Sequence, residues 1–155
     1  DSVSKKILKS LNDVNIIRHS HDKDDTDSEL AVKEAINRGA TKITVIGGIG
    51  RRLDHALLNL KILIDSKIPT EIIDDYNLIS YHRKSFTIEG KAGEVLSFIP
   101  QSFNFTNVES KGLRYPLTKE WFNSGKYSVS NELVENKAVV SFKNGSLLLI
   151  RVSNL

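Results

Sequence analysis

The chain contains no cysteine. Disulfides, cysteine zinc sites and thiol nucleophiles are thereby excluded, and a reducing cytosol is permitted. It also lacks any long apolar run. The longest, such as Leu147–Ile150, are strand-sized, far short of the roughly 18–20 residues a membrane span needs. The first residues, Asp-Ser-Val-Ser-Lys-Lys, carry no apolar h-region, so no secretory signal is visible and a cytoplasmic location is expected. No Gly-x-Ser-x-Gly elbow supports a Ser-His-Asp triad. His19 and His82 have no zinc-like spacing to partners and are read as structural.

Aspartate is missing from the second half: all ten lie at or before Asp75. Residues 1–82 carry 12 Lys+Arg against 13 Asp+Glu, and residues 83–155 carry 10 against 6. The net charge of +3 is therefore a mild excess spread over the second half, not a Lys/Arg stripe, and nucleic-acid binding is not expected. The composition, 39% hydrophobic and 26% charged over 155 residues, is that of a globular chain of one domain or two small ones.

The charge asymmetry coincides with a change of pattern near Asp75–Arg83. Before it, helical and strand patterns alternate. Val3–Leu11 suits a short helix and Val14–Arg18 a strand. Asp27 reads as an N-cap, and Leu30, Ala31, Glu34 and Ala35 follow at helical spacing until Gly39 closes the helix. Thr41–Ile46 is a β-branched strand. A helix then carries Leu53, Ala56, Leu57, Leu60 and Ile64 on one face, Pro69 stops it, and Thr70–Ile73 is the next strand. This alternation predicts a mainly parallel sheet. After the change, strands are expected at Leu78–His82, Ser85–Glu89, Glu94–Pro100, Phe105–Ser110, Ala138–Phe142 and Ser146–Val152. Asn144-Gly145 between the last two signals a hairpin. The expectation is an incomplete Rossmann-like parallel α/β domain over residues 1–78, followed by an antiparallel β-sandwich domain over residues 79–155.

Three stretches carry chemistry. In Asp22-Lys23-Asp24-Asp25-Thr26-Asp27, four carboxylates within six residues repel one another unless water or a cation sits among them. Such oxygen ligands suit Mg²⁺, which also takes phosphate oxygens. Lys23 would meet a phosphate as a point charge. The plain alternative is a solvated acidic loop ahead of a helix; a calcium EF-hand is excluded by the missing Gly and final Glu.

Gly47-Gly48-Ile49-Gly50-Arg51-Arg52-Leu53-Asp54-His55 stands at a strand-to-helix junction. Glycines admit close backbone approach, a helix N-terminus offers free N–H groups to anions, and arginine adds a planar fork. Asp54 could hold a metal, a nucleotide hydroxyl or a substrate proton, and His55 could donate to phosphate or support Asp54. The alternative is a Gly-rich turn with Asp54 satisfying helix amides. In an open α/β sheet both loops would lie at the carboxyl edge, where ligands bind. In the second half, Ser110-Lys111-Gly112-Leu113-Arg114-Tyr115-Pro116-Leu117, Trp121 and Ser130-Asn131-Glu132 could hold a flat, polar-edged ring. Otherwise they form a polar loop beside a partly packed tryptophan.

In this order, these stretches resemble the thiamine pyrophosphokinase family. Lys23-Asp24-Asp25-Thr26-Asp27 is similar to its Lys/Gln-Asp-x-Thr-Asp motif. Gly47, Gly50, Arg52, Asp54 and His55, with Asn59 one turn on, resemble its Gly-x-x-Gly-x-Arg-x-Asp-His stretch. The segments Ser110–Leu117 and Ser130–Glu132 resemble two marks of its C-terminal domain. One departure concerns the family's Gly-Asp-x-Asp-Ser metal motif, of which Asp1-Ser2 alone could be the end. The expectation is a sheet lacking strands and a metal site lacking a ligand.

The resemblance implies transfer of a pyrophosphoryl group from ATP to thiamine, giving thiamine diphosphate and AMP. Mg²⁺ would be held by Asp27 with Asp1 and Asp24. Lys23, Thr26, Gly47, Gly50, Arg52, His55 and Asn59 would bind the nucleotide, and Asp27, Arg52 and Asp54 would serve the chemistry. Ser130, Asn131 and Trp121 would contact thiamine, commonly across a homodimer interface. The alternatives are a non-catalytic nucleotide- or ligand-binding module and a metal-dependent phosphohydrolase.

Overall fold

A computed structural model describes residues 16–20 and 22–152. The expected helix Val3–Leu11, His21, Asp1, and Val14 and Asn15 of the first expected strand lie outside them. Residues 16–18 form no strand.

Helix α1 spans Asp27–Asn37. Its N-cap is Thr26, not Asp27 as the sequence reading had it. Thr26 is extended, and its hydroxyl accepts the Glu29 N–H while the Glu29 carboxylate accepts the Thr26 N–H at 2.8 Å. This reciprocal capping box satisfies two orphan donors of the first turn. The one-residue shift leaves the Asp27 carboxylate outside the cap. At the other end Gly39 takes φ +85°, the left-handed position beyond the C-cap that glycine occupies without a Cβ clash.

Strand β1 (Ile43–Ile46) leads through the glycine turn into helix α2 (Leu53–Asp65), and β2 (Thr70–Ile73) returns parallel to β1. The buried stripe of α2 differs from the expected one. Ala56 and Leu63 are buried and Leu60 and Ile64 pack beside the latter, whereas Leu53 and Leu57 face out among the described residues. The Arg83 guanidinium donates to the Ile64 carbonyl at 2.6 Å, which places a cation on the negative end of the helix dipole.

The remaining elements are β3 (Asn77–His82), β4 (Phe86–Glu89), β5 (Val95–Pro100), β6 (Thr106–Lys111), α3 (Lys119–Asn123), β7 (Ser128–Glu132), β8 (Lys137–Lys143) and β9 (Leu147–Val152). One sheet runs β1-β2-β3-β9-β5-β7 and the other β4-β8-β6. Only β1 and β2 are parallel among the described pairs; β3 joins β2 antiparallel. The change of pattern near Asp75–Arg83 is thus a change of strand direction inside one continuous sheet.

Strand β9 is paired on both edges, by β3 and β5, and each of its faces packs on a separate core. Leu147 and Leu149 point into a core shared with Ile88, Val140, Phe142 and Phe105 of the facing sheet side. Leu148 and Ile150 point the opposite way, against Leu63 of α2, Ile72 and Ile79. Period-two alternation on a strand buried on both faces explains the unbroken apolar run. The Asn144-Gly145 turn has both residues left-handed, at φ 56° and 79°. It does not close a hairpin. β8 and β9 belong to different sheets, and the turn carries the chain across the core, with Gly145 pressed on the Phe105 ring.

Candidate functional site

The acidic loop sorts its carboxylates by partner. Lys33 grips both oxygens of Asp25 at 2.7 Å. Lys23 reaches Asp27 at 2.5 Å, one turn along, and that hydrogen bond, with the charge behind it, holds the Asp27 carboxyl below its ordinary value. Asp27 remains solvent-exposed, as do Asp22 and Asp24. Thr26, expected at the nucleotide, has its hydroxyl engaged with Glu29 in the cap.

No cluster of three His, Cys, Asp or Glu side chains converges at metal-binding separations among the described residues. The donor chemistry of Asp24 and Asp27 nevertheless fits Mg²⁺. Both present hard, accessible oxygens, and that ion commonly takes one or two carboxylates and completes its shell with phosphate and water.

The glycine loop is built against the sheet edge. Gly47, at φ +69°, donates its N–H to the Ile73 carbonyl at 2.9 Å. Gly48 is buried; a Cβ there would come within 2.8 Å of the Ile72 side chain and 3.2 Å of Val45. Asn59 donates from Nδ2 to the Gly48 carbonyl at 2.8 Å, so it supports the loop from beneath. Asn59 also lines a cavity of about 220 Å³ with Ser28 of α1, next to Asp27. That cavity lies between α1, β1 and α2, the elements that follow the acidic loop and flank the glycine loop.

Arg52 is the N-cap of α2 and makes no side-chain cap, so the first-turn amides of α2 are uncapped by it, unlike those of α1. Arg52 instead forks onto Asp54, at 2.5 and 3.2 Å. This pairing, aided by the His55 backbone N–H, holds the Asp54 carboxyl down at about 2 and raises the guanidinium. Both side chains and that of His55 are exposed. The result is an ionised, solvent-facing pair of no net charge beside a helix N-terminus, in which the Arg52 guanidinium is the group that could meet an anion.

In the other half, the stretches around Ser110–Leu117 and Ser130–Glu132 prove to be one unit. Ser110 Oγ accepts the Leu117 N–H at 2.8 Å, Arg114 meets Glu132 at 2.9 Å, and Leu113 bridges Leu133. Gly112, at φ +79°, lies so close to Lys137 that a Cβ would fall 2.2 Å from its carbonyl oxygen. Asn131 is fully buried. Its amide donates to the Tyr115 carbonyl at 2.8 Å and to Ser128 Oγ at 3.0 Å, and its oxygen accepts from the N–H groups of Tyr115 and Glu132. Ser130 is exposed in a left-handed conformation, φ 56°, within a bulge where Val129 and Ser130 face Ser97 alone. Trp121 is half-exposed, with its indole N–H on the Tyr127 carbonyl at 3.3 Å. Tyr115, part of the Ser110–Leu117 stretch but given no role of its own by the sequence, is exposed, with its backbone tied to Asn131.

Fold and loops together define a mixed α/β protein of two sheets, with candidate anion loops in its first half. Residues 1–73 match the description "Thiamin pyrophosphokinase, catalytic domain", and residues 84–147 match "Thiamin pyrophosphokinase, vitamin B1 binding domain". The thiamine pyrophosphokinase of Bacillus subtilis (strain 168) is 32% identical over 136 residues, covering 84% of this chain and 64% of that protein. The crystal structure of thiamin pyrophosphokinase from Geobacillus thermodenitrificans superposes with a TM-score of 0.78 at 30% identity, over 96% of this chain and 70% of the other. That of the Enterococcus faecalis family protein gives 0.78 at 26% identity, over 100% and 77%. The chain belongs to the thiamin pyrophosphokinase family. It spans a little under two thirds of the length of the curated relative it matches.

Proposed function

We propose that the protein containing this chain transfers a pyrophosphoryl group from ATP to thiamine. The observation that carries the reading is the order of the two family matches, catalytic then vitamin B1 binding, along one continuous fold. In this reading residues 1–78 act as a Rossmann-like nucleotide-binding part and residues 79–155 as a sandwich-like thiamine-binding part. The exposed apolar residues Tyr127 and Val129 at edge strand β7 support a homodimer contact there. A cytoplasmic location accords with the absence of cysteine.

The thiamine hydroxyl oxygen attacks the β-phosphorus of ATP. The new O–P bond forms as the bond from that phosphorus to the α–β bridging oxygen breaks, AMP leaves and the hydroxyl proton is released. The Gly47–Gly50 turn and the α2 N-terminus cradle phosphate, and Asn59 keeps the Gly48 backbone in place. Arg52 and Lys23 stabilise charge on the transferring group, and His55 borders it. Asp54, ionised at neutral pH, orients the hydroxyl while holding the Arg52 fork. Asp27 and Asp24, with Asp1 from outside the described residues, would hold Mg²⁺, which supplies charge neutralisation for phosphate when bound. Ser130 and Trp121, with the exposed Tyr115, meet the thiamine ring.

The test is an assay of AMP and thiamine diphosphate formation by the full-length protein. Asp27→Ala and Arg52→Ala are each expected to lower kcat/KM by about 10²-fold or more, the usual scale for a group that stabilises transferring charge. Wild-type rates in both variants, or an inactive parent, would sink the reading. Removal of divalent cation with a chelator is expected to abolish turnover, and added Mg²⁺ to restore it.

A further inference from the structure

Among the described residues, Asn131 is the one buried side chain in the second half whose polar groups link both stretches of the proposed thiamine end. It is completely excluded from solvent, and each of its two amide hydrogens and its oxygen already has a protein partner. An amide so engaged has no donor left for a ligand. Its partners are the backbone N–H and carbonyl of Tyr115, the backbone N–H of Glu132, and Ser128 Oγ. Tyr115 is thus clamped at both backbone groups by one side chain from 16 positions away.

Ser128 and Asn131 also bracket the bulge. Between them Val129 and Ser130 oppose Ser97, and Ser130 holds a left-handed backbone that a non-glycine residue adopts only at a cost. The Ser130 N–H donates to Ser97 Oγ at 3.3 Å. Without the Asn131 bond to Ser128, nothing else on the described side chains ties the two ends of the bulge to each other. A bulge re-aims the side chain it carries. Here it turns the exposed Ser130 outward on the same unit that presents the exposed Tyr115 ring.

We infer that Asn131 is a positioning residue: it never touches thiamine, but fixes the Tyr115 backbone and the Ser130 bulge as one preformed surface for the ring. This inference rests on the proposed transfer to thiamine and assigns to Asn131 a role different from direct contact. A flat ring held by an edge hydroxyl and an aromatic face needs both groups at fixed separation before binding, which is what a fully bonded buried amide supplies.

The experiment uses the full-length protein and follows thiamine diphosphate formation at varied thiamine and varied ATP. Asn131→Asp keeps the size and both acceptor bonds but loses the two donor bonds. Ser128→Ala removes one partner of the amide at a buried position. Expected is a rise in KM for thiamine of about tenfold in Asn131→Asp and about threefold in Ser128→Ala, with KM for ATP unchanged within about twofold. Asn131→Gln, which cannot satisfy the same four groups at its greater length, is expected not to rescue.

A merely structural residue would lower the active fraction, so kcat would fall with both KM values unmoved; that result overturns the inference. So does an effect of Asn131→Asp with none from Ser128→Ala, which would make Asn131 a direct contact. If Asn131→Asp does not fold, Ser128→Ala alone decides by the same split. A wild-type protein that turns over thiamine while both variants match it sinks this inference and leaves the function standing. An inactive wild type sinks both.

Discussion

At the scale of single residues, space and backbone conformation separate glycines that look alike in the sequence. Gly39 and Gly112 both have positive φ, at 85° and 79°. A Cβ at Gly39 would meet nothing within 4 Å, whereas at Gly112 it would lie 2.2 Å from the Lys137 carbonyl oxygen and 3.0 Å from Ala138 Cα. Those are backbone atoms of β8, which cannot turn aside as a side-chain end does. Gly39→Ala is therefore expected to cost about 1 kcal/mol, the left-handed penalty alone. Gly112→Ala is expected to cost roughly 3 kcal/mol or more, because strand β8 or the 110–117 segment must shift. Urea unfolding of the two variants measures the difference, and equal midpoints would contradict it. Thr26 belongs to the same scale. Its hydroxyl caps α1, so Thr26→Ala should lose about 1 kcal/mol by the loss of a cap, with Thr26→Ser restoring it. If Thr26 were chiefly a nucleotide contact, the loss would appear in KM for ATP without a change in the urea midpoint.

At the scale of elements, the β3–β4 corner carries a pH dependence. His82 ends β3, stacks on Phe86 at 3.7 Å and shares a hydrogen bond with Ser80 Oγ at 2.8 Å. Burial pushes its pKa from 6.5 down to about 4. The folded ring therefore stays neutral where the unfolded chain takes up a proton. The stability this gives the folded state is complete above about 6.5, declines as pH falls toward 4, and is gone below. His82→Gln should flatten the fall in urea midpoint between pH 7.5 and 5, after the carboxylate contribution common to both proteins is subtracted. Parallel curves would show that burial at this corner does not hold the ring neutral.

The same scale shows what the sequence could reveal. Strands β3, β4, β5, β6, β8 and β9 lie within a residue or so of where alternation and β-branched runs put them, because each has an apolar face to bury. Strand β7 is not among the expected strands. Its Ser-Val-Ser-Asn-Glu run lies at a sheet edge, and its bulge breaks the period of two. Asn144-Gly145, expected to close a hairpin, does not: both residues are left-handed, but a dipeptide reports dihedrals and not which sheet each flanking strand joins. In the candidate site, the glycine turn and the acidic loop stood out because their residue types are unusual. The burial of Asn131 did not, since its partners Tyr115 and Ser128 are supplied by folding rather than by any local pattern.

At the scale of the whole molecule, β9 joins the two halves. The family matches fall on either side of β3, yet β3 pairs with β2 of the first half and with β9, which pairs in turn with β5 of the second. Leu148 and Leu149 are adjacent in sequence and both almost fully buried, at 5% and 3% exposure, but they enter different cores. If the halves were independent, Leu148→Ala would loosen only the helix-covered core with Leu63 and Ile72. Leu149→Ala would loosen only the core with Phe98 and Val140. A shared central strand predicts otherwise, because neither core can lose β9 without exposing one face of the same ladder. Each substitution is expected to cost about 2–5 kcal/mol, the usual range for emptying a buried leucine site. Each should lower the midpoint of one and the same cooperative transition, with the denaturant slope unchanged. The measurement is urea unfolding of the full-length protein followed both by far-ultraviolet circular dichroism and by fluorescence of Trp121, which lies in the second half. Coincident curves in both variants support a single cooperative unit. Curves that separate in Leu148→Ala, with Trp121 fluorescence holding its wild-type midpoint while the helical signal is lost early, would show that the sheet is continuous in hydrogen bonding but divided in stability.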